Sequence, residues 1–168
     1  MTPDAAGGAP TAALVARLDY PMYVVTASDG SSESGCLAGF VTQCSIDPVR
    51  FLVCISVVNH TARVAPQASV LGVHLLGSDQ HEMAVLFGEL SGDVTDKFAA
   101  VQWHRGASGA PVLDDCAAWF EGQVLGSYDL GDHSGYLVAP VAGGPGPHPG
   151  QLSYSAVRDV QPGHAARS

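Results

Sequence analysis

Residues 35–61, GCLAGFVTQCSIDPVRFLVCISVVNHT, constrain the fold more than any other part of the chain. Two apolar runs flank Asp47-Pro48, and the second ends in a polar group, Asn59-His60-Thr61. Proline has no N–H to give a ladder and pushes the residue before it toward extended backbone, so Asp47-Pro48 reads as a strand-to-strand turn. Residues 51–58, FLVCISVV, form a nearly continuous apolar run rich in β-branched side chains. Its length and composition predict a strand buried on both faces. Asn59 is placed to cap a short helix reaching about residue 64, where Pro66 limits it.

The remaining chain repeats this strand grammar. Residues 22–27, MYVVTA, are followed by Asp29-Gly30, a strong hairpin signal. The second arm begins near Ser34, passes through residue 41 and continues extended over 42–46. Residues 70–76, 116–125 and 136–141 supply further strands, and short helices are expected over 12–18 and from Ser78-Asp79, with Met83, Leu86 and Phe87 on one face. With 20 Gly and 11 Pro in 168 residues, turns are abundant. At least six strands and one or two short helices predict an all-β dominated, antiparallel, closed or nearly closed barrel, which removes exposed strand edges. Residues 1–11 are read as a flexible N-terminal tail, 12–142 as the folded domain, and 143–168 as a Gly/Pro-rich loop with a C-terminal extension.

Charge narrows the partners. A net charge of -9 with 7 Lys+Arg argues against nucleic acid and anionic membrane surfaces, which need clustered cations. Lys97 is the only lysine, so a bound phosphate must lean on hydroxyls, backbone N–H groups and an Arg or His. Without a signal-like start or a membrane-length apolar run, a cytoplasmic protein is expected. Cys36, Cys44, Cys54 and Cys116 form no Cys-x-x-Cys pair and read as reduced, mostly core residues, with no metal site expected.

Few motifs carry reactive chemistry. There is no G-x-S-x-G elbow, H-E-x-x-H, P-loop or dinucleotide fingerprint. His74, inside an apolar strand, is expected to be a hydrogen-bonded core residue. Asp132-His133 is a turn delivering one imidazole, and neighbours on a strand point to opposite faces. Asn59-His60-Thr61 stands at a strand-to-helix junction, where unpaired N–H groups, a hydroxyl and Arg63 make a workable phosphate cradle or merely a helix cap. Asp114-Asp115 read as solvated turn residues and Trp119-Phe120 as core aromatics.

Four stretches together carry a resemblance: 23–26 (YVVT), 35–48 with Ser45-Ile46-Asp47-Pro48, 96–111 (DKFAAVQWHRGASGAP), and 118–133 ending in Gly-Asp-His. In order and spacing they resemble the flavin reductase-like family, whose fold is the FMN-binding split β-barrel. The resemblance implies a homodimer with flavin near the subunit interface. It implies that the flavin ring lies against the segment Leu37, Ala38, Gly39, Phe40, Val41 and Thr42. The FMN phosphate falls to Ser56, Asn59, His60 and Thr61, Lys97 and Phe98 lie close by, and His133 serves the nicotinamide side as the catalytic residue. The family often carries Ser, Thr or Asn at the positions of Leu37 and Gly39 and a second Pro at Val49, and the stretch beyond residue 141 departs from its usual tail.

The activity so implied is an NAD(P)H:flavin oxidoreductase with FMN as cofactor or substrate and NADH or NADPH as hydride donor, passing reduced flavin to a monooxygenase partner. Two alternatives follow from the same residues: a non-catalytic FMN-binding redox module, and a split-barrel oxidoreductase using a deazaflavin or haem. Sparse cations weigh against a highly anionic deazaflavin tail.

Overall fold

The computed structural model describes residues 8–163. In order, the chain forms α1 (Gly8–Val15), β1 (Tyr23–Ser28), β2 (Glu33–Ala38), β3 (Val41–Ile46), β4 (Val49–Ser56), α2 (Thr61–Val64), β5 (Val70–Leu75), α3 (His81–Glu89), β6 (Trp103–Arg105), β7 (Pro111–Leu113), β8 (Ala118–Asp129) and β9 (His133–Pro145). Seven strands form one sheet in the order β2-β1-β5-β8-β9-β4-β3, with every pair antiparallel, while β6 and β7 pair separately. The two outermost strands, β2 and β3, are consecutive in the chain and are joined only by Gly39-Phe40. That covalent link makes the sheet roll until its ends meet, and Cys54 N donates to Phe40 O at 2.9 Å across the junction. A rolled, split barrel is the outcome, as the strand pattern led one to expect.

Three local expectations need correction. Residues 34–46 are two strands belonging to opposite ends of the sheet, because the chain turns at Gly39-Phe40 although its apolar pattern runs straight through. The strands buried on both faces are β1 and β5 rather than β4. Val24, Val25, Thr26 and Ala27 are all buried, whereas β4 alternates, with Val53 and Ile55 inside and Leu52, Cys54 and Ser56 half-buried. β9 continues through Pro145, pairing Gly143, Gly144 and Pro145 with Phe120, Trp119 and Ala118, so the stretch read as a loop begins as strand. Asp47-Pro48 is the expected two-residue connection, with Ile46 opposite Val49 and a cis peptide.

β1 divides two cores. One of its faces joins Val53, Ile55, Leu71, Val73 and Val138 inside the barrel; the other joins Leu76, Ala84, Phe87, Phe98, Leu113, Leu152 and Val157 beneath α3. Leu152 and Val157 place part of the C-terminal segment in the core, and β1 is continued by Met22 N donating to Leu152 O at 2.8 Å. The tail expected over residues 1–11 lies largely outside the described residues, and α1 takes in Pro10 and Thr11. Phe87 is buried on α3 as its spacing required, with Met83 and Leu86 packed beside it.

His74 is fully buried. Its Nδ1 lies 2.9 Å from Val24 O and its Nε2 accepts from Leu113 N at 3.0 Å, so the ring is the neutral Nδ1–H tautomer linking β5 to β1 and β7. Burial drives its pKa down to about 4. Glu121, also buried, holds the β6–β7 loop by accepting from Ser108 N and Ala110 N. Of the cysteines, Cys36 and Cys116 are buried, Cys54 is half-buried, and Cys44 is exposed at the register shift in edge strand β3. Among the described residues no helix is long and apolar enough to cross a membrane, and no group of three or more acidic, His or Cys side chains is arranged to hold a metal.

Candidate functional site

The corner that closes the barrel also opens a cavity at the strand ends. At Gly39 a Cβ would run into the ring of Tyr20, so a side chain there requires Tyr20 to move. Ser56, at the end of β4, stands opposite His133, at the start of β9. These strand ends surround a cavity of about 330 Å³ lined by Leu37, Ala38, Gly39, Phe40, Cys54, Ile55, Ser56, Asn59 and His133. Its other side is Phe87 and Gly88 of α3 with Tyr154, Val157, Val160 and Pro162 from the C-terminal segment.

His133 is positioned by a tight turn in which Gly131 takes φ +104, a conformation open to glycine. Its Nδ1 lies 2.7 Å from Asp132 Oδ1, which leaves Nε2 as the nitrogen offered to a ligand. The strand rule that set these neighbours on opposite faces does not apply, because Asp132 belongs to the turn and only His133 to β9. The imidazole packs against Phe40 with centroids 5.2 Å apart. From there an aromatic row continues: Phe40 to Tyr20 at 5.6 Å, then Tyr20 stacked on Tyr154 at 4.8 Å and 16°. Burial raises the Tyr20 phenol above its ordinary value and keeps it neutral.

The structure thus gathers Leu37, Ala38, Gly39, Phe40, Ser56, Asn59 and His133 around one cavity, and it sets the other expected site residues apart. Val41 and Thr42 line an open groove on the other side of the Gly39-Phe40 corner, with Tyr23, Gln43 and Phe51, which shares Tyr20, Gly39, Phe40 and Cys54 with the cavity. His60, Lys97 and Phe98 line a surface pocket of about 380 Å³ together with Glu33, Asp93 and Asp96, and His60, Thr61 and Lys97 also line a crevice of only about 10 Å³ that meets the cavity at Asn59 and Gly88. That volume holds about one water, not a phosphate. Ser34 Oγ fills the role of partner there, 3.0 Å from His60 Nδ1 and 2.8 Å from Thr61 Oγ1. Arg63 is ion-paired with Asp93. Asn59 makes no side-chain cap; His60 holds the N-cap position in helical geometry, and Pro66 sits harmlessly at the start of a following 3₁₀ turn, where its missing N–H costs nothing.

Lys97 is buried with Nζ donating to Gly35 O at 3.1 Å and Phe87 O at 3.0 Å, and burial lowers its pKa. It therefore braces β2 against α3 behind the cavity. Phe98 is a core ring packed edge-on to Phe87 and Trp103. Sequence reasoning missed Tyr20 and the C-terminal wall. Tyr20-Pro21 carries no motif that marks a ligand wall, and residues 154–162 have no periodic pattern.

Chemically, the cavity offers aromatic and aliphatic walls, a glycine that opens backbone to the ligand, and a polar end at Ser56 and Asn59. Among the described residues no Asp or Glu lines it. Its volume lies at the small end for organic ligands, and its shape of lining suits a planar ring system with a polar tail. A flavin ring fits these residues, whereas its phosphate finds no space at Thr61.

Residues 15–159 match the family model described as flavin reductase like domain. A probable flavin reductase of Rhizobium meliloti (strain 1021) is 34% identical over 111 residues, covering 66% of this chain and 35% of that protein. The FMN reductase (NADH) RutF of Variovorax paradoxus (strain S110) is 32% identical over 122 residues, 71% of this chain and 66% of that one. The chain thus spans about a third to two thirds of the length of these relatives. Among solved structures, BorF, the flavin reductase component of a bacterial two-component tryptophan halogenase, superposes with a TM-score of 0.76 at 26% identity, covering 90% of this chain and 95% of that one.

Proposed function

This chain belongs to the flavin reductase-like family, and from that premise we propose that it is an NAD(P)H:flavin oxidoreductase working with FMN. The observation that carries the reading is the convergence of the Gly39-Phe40 corner, Ser56, Asn59 and His133 on one aromatic-walled cavity. When bound, the flavin supplies a two-electron acceptor for hydride from the nicotinamide. The protein's task is then orientation and exclusion of water, which needs few ionisable groups. A bound flavin would be held by the Gly39-Phe40 backbone, and Leu37, Ile55 and Phe87 would keep water from it. Ser56 and Asn59 take the polar tail, with His60, Thr61 and Lys97 behind them. His133, aimed by Asp132 and Phe40, steers the nicotinamide through Nε2.

The resemblance implies a homodimer, and the exposed apolar side chains Ile46, Leu125, Tyr128 and Leu130 support a second copy packing on the barrel. Reduced flavin then passes to a partner oxygenase or related flavin-dependent enzyme, as the likeness to a two-component reductase suggests.

Spectroscopy tests the activity directly. Purified protein mixed with FMN should retain the flavin, and anaerobic NADH or NADPH should bleach its visible band. A protein-bound flavin that stays oxidised with both nucleotides sinks the reductase reading and leaves a non-catalytic flavin carrier.

A further inference from the structure

The cavity has one wall of a different kind. Tyr154, Val157, Val160 and Pro162 come from a segment whose only regular structure is the 3₁₀ turn Tyr154–Val157. Backbone bonds hold it at intervals: Tyr154 N donates to Tyr20 O at 2.8 Å, and Gly163 N donates to Gly88 O at 3.1 Å. Between them, Asp19 accepts from Ser155 N and Oγ. The segment is bracketed by two histidine clips. Before it, His148 lies between two carboxylates, with Nδ1 2.8 Å from Asp79 Oδ1 and Nε2 2.5 Å from Asp115 Oδ1. Within it, Asp159 Oδ1 lies 3.0 Å from His81 Nε2 on the first turn of α3.

An imidazole has two nitrogens, and only the protonated ring carries N–H on both. A neutral His148 must turn a lone pair toward one carboxylate oxygen at hydrogen-bond distance, so both contacts are satisfied only by the cation. The His81–Asp159 contact is an ion pair under the same condition. We propose that residues 148–163 are a pH-set strap over the cavity: protonated His148, bridging Asp79 and Asp115, clamps it and slows escape of a planar aromatic ligand, and the neutral ring loosens it.

The surrounding charges agree in sign. Asp79 and Asp115 face His148, while the neighbouring Asp114 is paired with His104 at 2.6 Å. Near His81 stand Asp159 and, next along α3, Glu82; Arg158 lies over the Tyr154 ring, 5.6 Å from its centroid. Asp19, whose carboxyl is held below its usual range first by the Ser155 backbone N–H, stays ionised throughout and gives no switch. Hydrogen bonds to Asp115 and then Asp79 hold His148 above the ordinary imidazole value. Its contribution is therefore complete below that ordinary value and is lost as pH rises through the raised one.

The ligand rests on the flavin reading, but the strap does not, so the test has two arms. Hydrogen exchange of the ligand-free protein, corrected for intrinsic rates, should show the Tyr154 and Gly163 amides about threefold to tenfold less protected at about pH 9 than at about pH 6, with Val73 in β5 unchanged. His148→Gln, a neutral side chain with donors at one end only, should show the alkaline behaviour already at the lower pH, and Asp115→Asn should do so more weakly. FMN release from the full chain should quicken by the same factor across that range. Equal protection at both pH values, or a His148→Gln variant indistinguishable from wild type at the lower one, overturns the strap. If FMN binds and is reduced with pH-independent strap protection, the strap fails and the flavin reading stands. Protection that follows pH in a protein that binds no FMN fails the flavin reading and keeps the strap.

Discussion

His74 and His148 are the same side chain in opposite surroundings, one in the frame behind the cavity and one at the start of the strap. His74, sealed in the frame behind the barrel strands, is kept neutral by burial and by one donor and one acceptor that match a single tautomer. His148, at the surface, faces two carboxylates that match neither neutral tautomer, and their hydrogen bonds raise its pKa. The frame supplies a floor of backbone fixed by ladder hydrogen bonds; the strap supplies a cover of side chains fixed by surface pairs worth little each. Acid therefore attacks the floor and alkali the cover, and in between both hold. A cavity built this way has a rigid orienting surface and an adjustable exit.

The sharpest way to break the contrast is to damage the floor. Gly39→Val places side-chain atoms where Tyr20 lies, and overpacking of about 2–3 kcal/mol should lower FMN affinity about a hundredfold, read by fluorescence titration. Unchanged affinity would mean that the Gly39-Phe40 corner is not where the ring rests. Acid offers a second attack. His74 is depressed to about 4, so its neutral form stabilises the fold above the ordinary imidazole pKa, and that stability is lost as pH falls toward the folded value. Denaturant unfolding should lose roughly 3 kcal/mol from this group between about pH 6.5 and 4. A His74→Gln variant, less stable at neutral pH, should lack that share of the slope; an identical slope would place the acid sensitivity elsewhere.

The third prediction separates binding from chemistry on the floor itself. His133→Ala should slow flavin reduction in stopped-flow by about tenfold to a hundredfold, since a ring steered wrongly by an ångström is costly. FMN affinity should change by much less, because Phe40 and Gly39 remain. If reduction and binding both stay at wild-type values, the Gly-Asp-His turn is structural only.

How much of this could be read from the chain alone divides along the same line. The floor was legible because it is made of local patterns: Asp29-Gly30 and Asp47-Pro48 set two hairpins, apolar runs set the strands, and the motif resemblance chose His133, Gly39 and Asn59. Even there, the corner at Gly39-Phe40 was hidden, since Leu37 to Val41 reads as unbroken strand and only the meeting of β2 with β3 reveals the bend. Thr61 and Lys97 looked like ligand donors because their types allow it; their commitments to Ser34 and to the Gly35 and Phe87 carbonyls depend on residues far away in sequence. The cover was illegible for the same reason. His148 meets Asp79 and Asp115, 69 and 33 positions distant, and nothing in residues 146–163 has a helical or strand period to announce that Leu152 and Val157 are core.

The smallest expected effect tests the cover alone. Tyr154 reaches the cavity by stacking on Tyr20, and an aromatic pair of this geometry contributes about 0.5–1.5 kcal/mol beyond its buried area. Tyr154→Ala should therefore raise the FMN dissociation constant about threefold to tenfold, mostly through faster release. Tyr154→Phe keeps the stack and loses only the hydroxyl, so it should stay within about twofold of wild type. The reduction rate of flavin already bound should be unaltered in both, since neither touches His133. If Tyr154→Phe is as impaired as Tyr154→Ala, the phenol oxygen rather than the ring is what the ligand meets. The strap would then belong to the binding floor, and the division between a fixed floor and a loose cover would fail at its nearest point.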